Sequence, residues 1–151
     1  MENPTAFLMV GPPGAGKTTY ARRLAAERGA TIIEGDEIRS RIGKELNAPP
    51  MWTDLEDAIV ERIAFLAPGS IILDGPHCDR FERRQATDLL RMHGYDVTAV
   101  VLQTPLDVCV MRNARRSRSV PRHAITRWEN RLEKELSTIP NEDFKEVITV
   151  S

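Results

Sequence analysis

Gly11-Pro12-Pro13-Gly14-Ala15-Gly16-Lys17-Thr18 decides how the rest of this chain is read. It follows an apolar run, Ala6-Phe7-Leu8-Met9-Val10, and opens a helical pattern that begins near Lys17 and stops at Gly29. The octapeptide fits G-x-x-x-x-G-K-[ST]. Its glycines let the backbone curl until several N–H groups face one anion, and the helix behind it adds a positive N-terminal end. Gly11, Pro13, Gly14, Ala15 and Gly16 supply that cradle. Lys17 reaches the β- and γ-phosphates of a nucleoside triphosphate, and Thr18 offers a hydroxyl to a magnesium ion on the same phosphates. Thr19 is open between an α-phosphate contact and an ordinary helix residue. A chance glycine turn does not account for this lysine and threonine at this spacing.

Outward from the loop, apolar runs alternate with amphipathic stretches, which predicts βαβ units: α/β, a doubly wound parallel sheet flanked by helices. Thr31–Glu34 reads as the second strand, and Gly35-Asp36 opens the next helix. Residues 47–52, with Pro49 and Pro50, form a connection. Thr53 and Glu56 predict a helix start. On that helix Leu55, Ile59, Ile63 and Leu66 recur at core-facing spacing, and Pro68-Gly69 ends it. Residues 70–73 are nearly all apolar, as a central parallel strand requires, and Asp74 closes them. A helix follows from Asp79 to about His93, then a strand at 97–102. Pro105 is expected in the first turn of the next helix, which carries Arg112 to Arg116. A helix at about 124–136 and a strand at Glu146–Val150 complete the pattern.

The 151 residues suit one domain over 1–151, long enough to bury a core without disulfides. A net charge of -1 gives no global basic field. Cys78 and Cys109 have no metal-ligand spacing and read as reduced thiols, which sets the expectation of a cytoplasmic protein. The first apolar run is too short for a secretory signal, and no run approaches membrane-spanning length.

Ligands of open α/β sheets sit beyond the C-terminal strand ends. Asp36 and Asp74 fall there. Asp36 is placed to take a proton from an acceptor hydroxyl, or to cap its helix, or both. Asp74 is read as part of the magnesium shell with Thr18, against the alternative of a turn cap with Gly75. Arg39, one turn after Asp36, is read as a grip on an acceptor phosphate, against the alternative of a solvated helix arginine. Arg112, Arg115, Arg116, Arg118, Arg122 and Arg127 form the densest block of one sign. At least one of Arg112, Arg115 and Arg116 is expected on a lid over the triphosphate, while Arg118, Arg122 and Arg127 are open between the acceptor's phosphates and no specific role. Trp52 is a candidate wall for the acceptor; Trp128 and Phe144 are expected in packing, and His77 in solvent.

These residues resemble the P-loop kinases related to the 5′-hydroxyl polynucleotide kinase domain of phage and bacterial end-healing enzymes, within the AAA_33 and zeta-toxin-like P-loop NTPases. The features are the loop at Gly11 to Thr18; D-E-I-R at Asp36 to Arg39; the strand ending in Asp74; and T-P-L-D-V-C-V-M-R-N-A-R-R from Thr104 to Arg116, followed by Val120-Pro121. The resemblance implies a P-loop kinase fold with an Arg-rich lid. It implies ATP as donor, magnesium, and a nucleic acid acceptor, a 5′-hydroxyl or a hydroxyl on a modified base. It implies Asp36 as general base and Arg39 on the acceptor phosphate. Arg112 and Arg116 fall to the donor, with Arg115 and Arg116 able to trade roles. Where that family shows Asp-x-Thr-Asn, this chain has Asp74-Gly75-Pro76-His77. The chain is also similar to adenylate kinases, but it lacks their Phe-Pro-Arg after Gly75, and Gln85 comes too late for their glutamine. A nucleoside monophosphate or small-metabolite kinase is therefore the second expectation, and a non-catalytic ATP-binding regulator or ATPase the third.

Overall fold

A computed structural model describes residues 2–12, 14–66, 68–75, 80–115 and 120–150. Strands β1 (Thr5–Val10), β2 (Thr31–Glu34), β3 (Ile71–Asp74), β4 (Asp96–Leu102) and β5 (Glu146–Val150) form one parallel sheet in the order β2-β3-β1-β4-β5. The helices are α1 (Lys17–Arg28), α2 (Gly35–Leu46), α3 (Trp52–Ala64), α4 (Arg80–Met92), α5 (Leu106–Ala114) and α6 (Arg122–Glu135). None of the described helices is long and apolar enough to cross a membrane.

Strand burial explains the apolar runs. Successive β1 residues point to opposite faces, and both faces are covered. Ala6 and Leu8 pack with Ile38, Leu55, Ile59 and Leu90, which belong to α2, α3 and α4. Phe7 and Met9 pack with Ala21, Leu24, Cys109 and Ile125 of α1, α5 and α6. A strand covered on both sides has no polar face, so it reads as continuous hydrophobic sequence. The edge strands β2 and β5 are less buried and carry polar residues. β1 lies between β3 and β4, so the chain winds first to one side of it and then to the other. The loop after β1 therefore opens at the switch point, where ligands of such sheets bind.

Several boundaries differ from expectation. α3 starts at Trp52, not at a Thr53 cap, because the Asp54 carboxylate accepts the Met51 N–H at 2.9 Å. It ends at Ala64, before Pro68-Gly69. Pro105 precedes α5 instead of occupying its first turn: its φ of -55° suits a helix but its ψ of 144° is extended. α6 begins at Arg122, because the Pro121 carbonyl already accepts the Ala124 N–H at 3.0 Å. The expected cap Asp79, along with His77, Cys78, Arg118 and the predicted site residues Pro13 and Arg116, lies outside the described residues. Trp128 and Phe144 pack on the core as expected.

Two polar ties fix the chain outside the sheet, the first between distant segments and the second local. Arg83 of α4, 0% exposed, donates through Nε and Nη2 to both carboxylate oxygens of Glu142, at 2.9 and 2.7 Å. The Asn113 amide of α5 both donates to the Val120 carbonyl at 2.6 Å and accepts the Val120 N–H at 3.1 Å. The first tie has a measurable cost when half of it is removed. Glu142→Ala takes the two-pronged carboxylate from a buried guanidinium and is expected to lose about 3–5 kcal/mol in urea unfolding. Adding Arg83→Met to that variant should recover most of the loss.

Candidate active site

The loop after β1 has almost no side-chain substance, and its shape comes from what it rests on. Gly14 adopts φ +81°, and a Cβ there would lie 2.2 Å from the Cys109 carbonyl oxygen. Only glycine fits that approach to the first turns of α5. Thr104 Oγ1 donates to the Ala15 carbonyl at 2.6 Å, and Arg112 Nη1 stands 3.5 Å from the Gly14 carbonyl. Lys17 Nζ donates to the Pro12 carbonyl at 2.9 Å, so the ammonium folds back over the loop. The first N–H groups of α1 have no intrahelical acceptor and open toward the same space.

β3 brings the carboxylate. Thr18 Oγ1 donates to Asp74 Oδ2 at 3.2 Å. Burial pushes the Asp74 carboxyl above its usual value; the Lys17 charge and the Thr18 hydrogen bond pull it back, and Asp36 repels it. Register sets Glu34 at the end of β2 beside Asp74. The Glu34 carboxyl is also raised, first by a hydrogen bond with Glu37, then by desolvation and by repulsion from Glu37 and Asp74. Gly35 lets α2 leave the sheet here, since a Cβ would sit 2.9 Å from the Asp74 carbonyl oxygen.

Asp36 and Arg39, both exposed, border a cavity of about 280 Å³ beside this site. Its apolar floor includes Leu55, Ile59, Leu73 and Ala86, and Trp52 lines it as expected. Phe81, Glu82 and Gln85 of α4 complete the wall. Spacing along the chain set Gln85 aside; one face of α4 nevertheless carries it into the cavity with Phe81 and Glu82. The i, i+1, i+4 pattern of these three was the available signal. Thr19 is exposed on α1, and Arg115 is exposed at the C-terminal end of α5. Thr104 was visible in the sequence only as part of a motif. Its bond to the loop spans 89 positions, which no local pattern reveals.

Sheet order, glycine loop and the lysine–threonine pair together define a P-loop kinase domain. Residues 7–135 match AAA_33, an AAA domain, and the chain belongs to that family. It is 32% identical over 122 residues to a shikimate kinase of Chromohalobacter salexigens, covering 76% of this chain and 64% of the relative. It is 31% identical over 119 residues to an adenylate kinase of Deinococcus deserti, covering 70% of this chain and 60% of the relative. The chain thus spans less than two thirds of either relative. A chain from the structure of the Pnkp1/Rnl/Hen1 RNA repair complex shares the fold, with a TM-score of 0.66 at 21% identity, over 92% of this chain and 47% of that one.

The Asp74 environment predicts a pH signature. The folded chain holds a proton there more tightly than the unfolded chain, whose value is near the usual 3.8. Below that value both states are protonated and nothing is lost. As pH rises through the raised folded value, ionisation costs stability, and the cost stands in full above it. Asp74→Asn lacks this cost. It should therefore unfold at higher urea than the wild type near neutral pH, with the gap narrowing as pH approaches 4.

Proposed function

We propose that the protein is an ATP-dependent phosphotransferase of the cytoplasm that moves the γ-phosphoryl group to a hydroxyl on nucleic acid, with a polynucleotide 5′-hydroxyl as acceptor. One observation carries this reading: a carboxylate and an arginine, Asp36 and Arg39, border a cavity at the strand ends, and two residues lining it, Leu73 and Gly75, flank Asp74, the partner of Thr18 in the loop's helix. A nucleotide-binding switch has no use for such a second cavity. At about 280 Å³ it is near the lower end of ligand pockets, a size that takes one terminal unit of a polymer or one small acceptor.

In the reaction, Asp36 takes the proton of the acceptor hydroxyl as its oxygen bonds to the γ-phosphorus. The bond from that phosphorus to the β–γ bridging oxygen breaks, and the diphosphate leaves with the electron pair. Amides of Gly14 and Gly16 and the Lys17 ammonium hold the β- and γ-phosphates, while the Ala15 N–H closes the loop on the Pro12 carbonyl. Arg39 grips the acceptor phosphate. Arg112 and Arg115, with Arg116 beyond the described residues, close on the donor and meet the charge that spreads over its equatorial oxygens. For Arg112 this means leaving the Gly14 carbonyl for a phosphate.

The donor set also suits magnesium. Among the described residues no group of three or more His, Cys, Asp or Glu side chains forms a metal site. The Thr18 hydroxyl and the buried Asp74 carboxylate instead supply two hard oxygen atoms 3.2 Å apart, which fits an ion held mainly by phosphates and water. Thr18 and Asp74 would hold it, the latter through water, and it would neutralise charge on the triphosphate.

A second reading is a small hydroxylated acceptor. It is favoured by the largely apolar cavity floor and by the shikimate and adenylate kinases among the relatives. A panel with γ-labelled ATP separates the two. Label on 5′-hydroxyl oligonucleotides is expected; label only on shikimate-like metabolites or mononucleotides would establish the second reading. Lys17→Ala and Asp36→Ala should each lower transfer by about 100-fold or more. Near-normal turnover by a folded Asp36→Ala protein would remove it as the base. Arg39→Ala should raise the acceptor KM well above any change in the KM for ATP.

A further inference from the structure

A phosphate loop binds anions only while its amides point inward. Each peptide unit is planar and trans, so its C=O and its N–H point in opposite directions. Whatever holds the Ala15 carbonyl therefore also aims the N–H of Gly16. Thr104, two residues beyond the end of β4, makes that hold: its Oγ1 donates to the Ala15 carbonyl at 2.6 Å. We propose that Thr104 is a positioning residue for the triphosphate, acting through the Ala15–Gly16 peptide rather than by touching the donor.

The peptide needs a tie. Gly16 sits at φ 96°, ψ 18°, in the left-handed region. Glycine occupies that region and its mirror-related alternatives at similar cost, so nothing local keeps the preceding peptide from rotating its N–H away. The neighbouring carbonyls are held differently. Pro12 O receives both the Lys17 ammonium, at 2.9 Å, and the Ala15 N–H, at 3.2 Å. Gly14 O faces the exposed Arg112 guanidinium at 3.5 Å, a weak contact that donor binding would break. Ala15 O is held from outside the loop by a short bond from a half-buried residue.

Thr104 is itself well fixed. Its β-branched side chain has few rotamers. Pro105 follows it and restricts its backbone to extended conformations. Its carbonyl accepts the Cys109 thiol at 3.6 Å, at the same turn of α5 whose backbone presses on Gly14. The β4–α5 junction thus braces the loop twice, by contact at Gly14 and by hydrogen bond at Ala15. Only the second has a direction, and direction is what an amide needs.

This inference rests on the reading of the loop as a triphosphate site, and the experiment separates the two. Thr104→Val keeps the side-chain shape and removes the donor; Thr104→Ser keeps the donor. Calorimetry with magnesium and ATP on the folded proteins is expected to show Thr104→Val binding about tenfold more weakly than wild type, with Thr104→Ser within about twofold of wild type. In the transfer assay the KM for ATP should rise in Thr104→Val while the acceptor KM stays put, and the thermal midpoints should agree within a few degrees. Equal ATP affinity in wild type and Thr104→Val overturns the role of Thr104 and leaves the loop reading standing. A Thr104→Ser protein as weak as Thr104→Val overturns it too, since the hydroxyl would then not be the operative group. Absence of ATP binding by the wild type overturns both.

Discussion

The contact between the Gly14 backbone and the Cys109 carbonyl is the constraint around which the molecule is arranged. A loop made of glycine, proline and alanine cannot hold a strained curl by itself, because it pays the largest entropic cost of ordering and brings no side chains to offset it. It needs a wall. α5 is that wall, and α5 is in place because β4 pairs with β1 along six residues, Thr5 to Val10. On the other side of β1, β3 delivers Asp74 to the Thr18 hydroxyl. The sheet order is what puts these two supports on either side of one short segment.

The same arrangement gathers carboxylates. Glu34, Asp36, Glu37 and Asp74 come from the ends of two adjacent strands and the first turn of one helix. Asp74 and Glu34 both hold protons more tightly than free carboxyls do, one chiefly through burial and the other chiefly through Glu37. Such a cluster lowers the stability of the free protein. Sites that handle charged reactants tolerate this, because the geometry useful for chemistry is not the one that minimises repulsion in the empty state.

Much of this was legible in the sequence, for definable reasons. Strand runs such as residues 6–10 and 71–73 are readable because a strand covered on both faces must be apolar throughout. The loop is readable because φ-positive glycines and a lysine at fixed offsets have few other uses. Helix starts were less legible: Asp54, not Thr53, caps α3, and capping depends on a backbone angle that composition does not reveal. The cavity wall was harder still. Trp52 was within reach through its proline neighbours, but Phe81, Glu82 and Gln85 enter the site only because α4 packs at one particular rotation. Asn113, buried and bonded twice to Val120, looked like one more polar residue among arginines. Thr104 and Arg83 act through partners 89 and 59 positions away, separations at which a single sequence carries no signal.

The Arg83–Glu142 pair has a bearing on how the chain is made. The ribosome releases the guanidinium 59 residues before its carboxylate. Until then α4 can cover the sheet with Ala86, Leu89 and Leu90, but the two-pronged tie that Glu142 gives Arg83 is missing. Glu142 sits just ahead of β5, and its arrival both neutralises the arginine and delivers the last strand to the sheet edge. The last tie of α4 is therefore made only when the segment leading into the final strand has been synthesised.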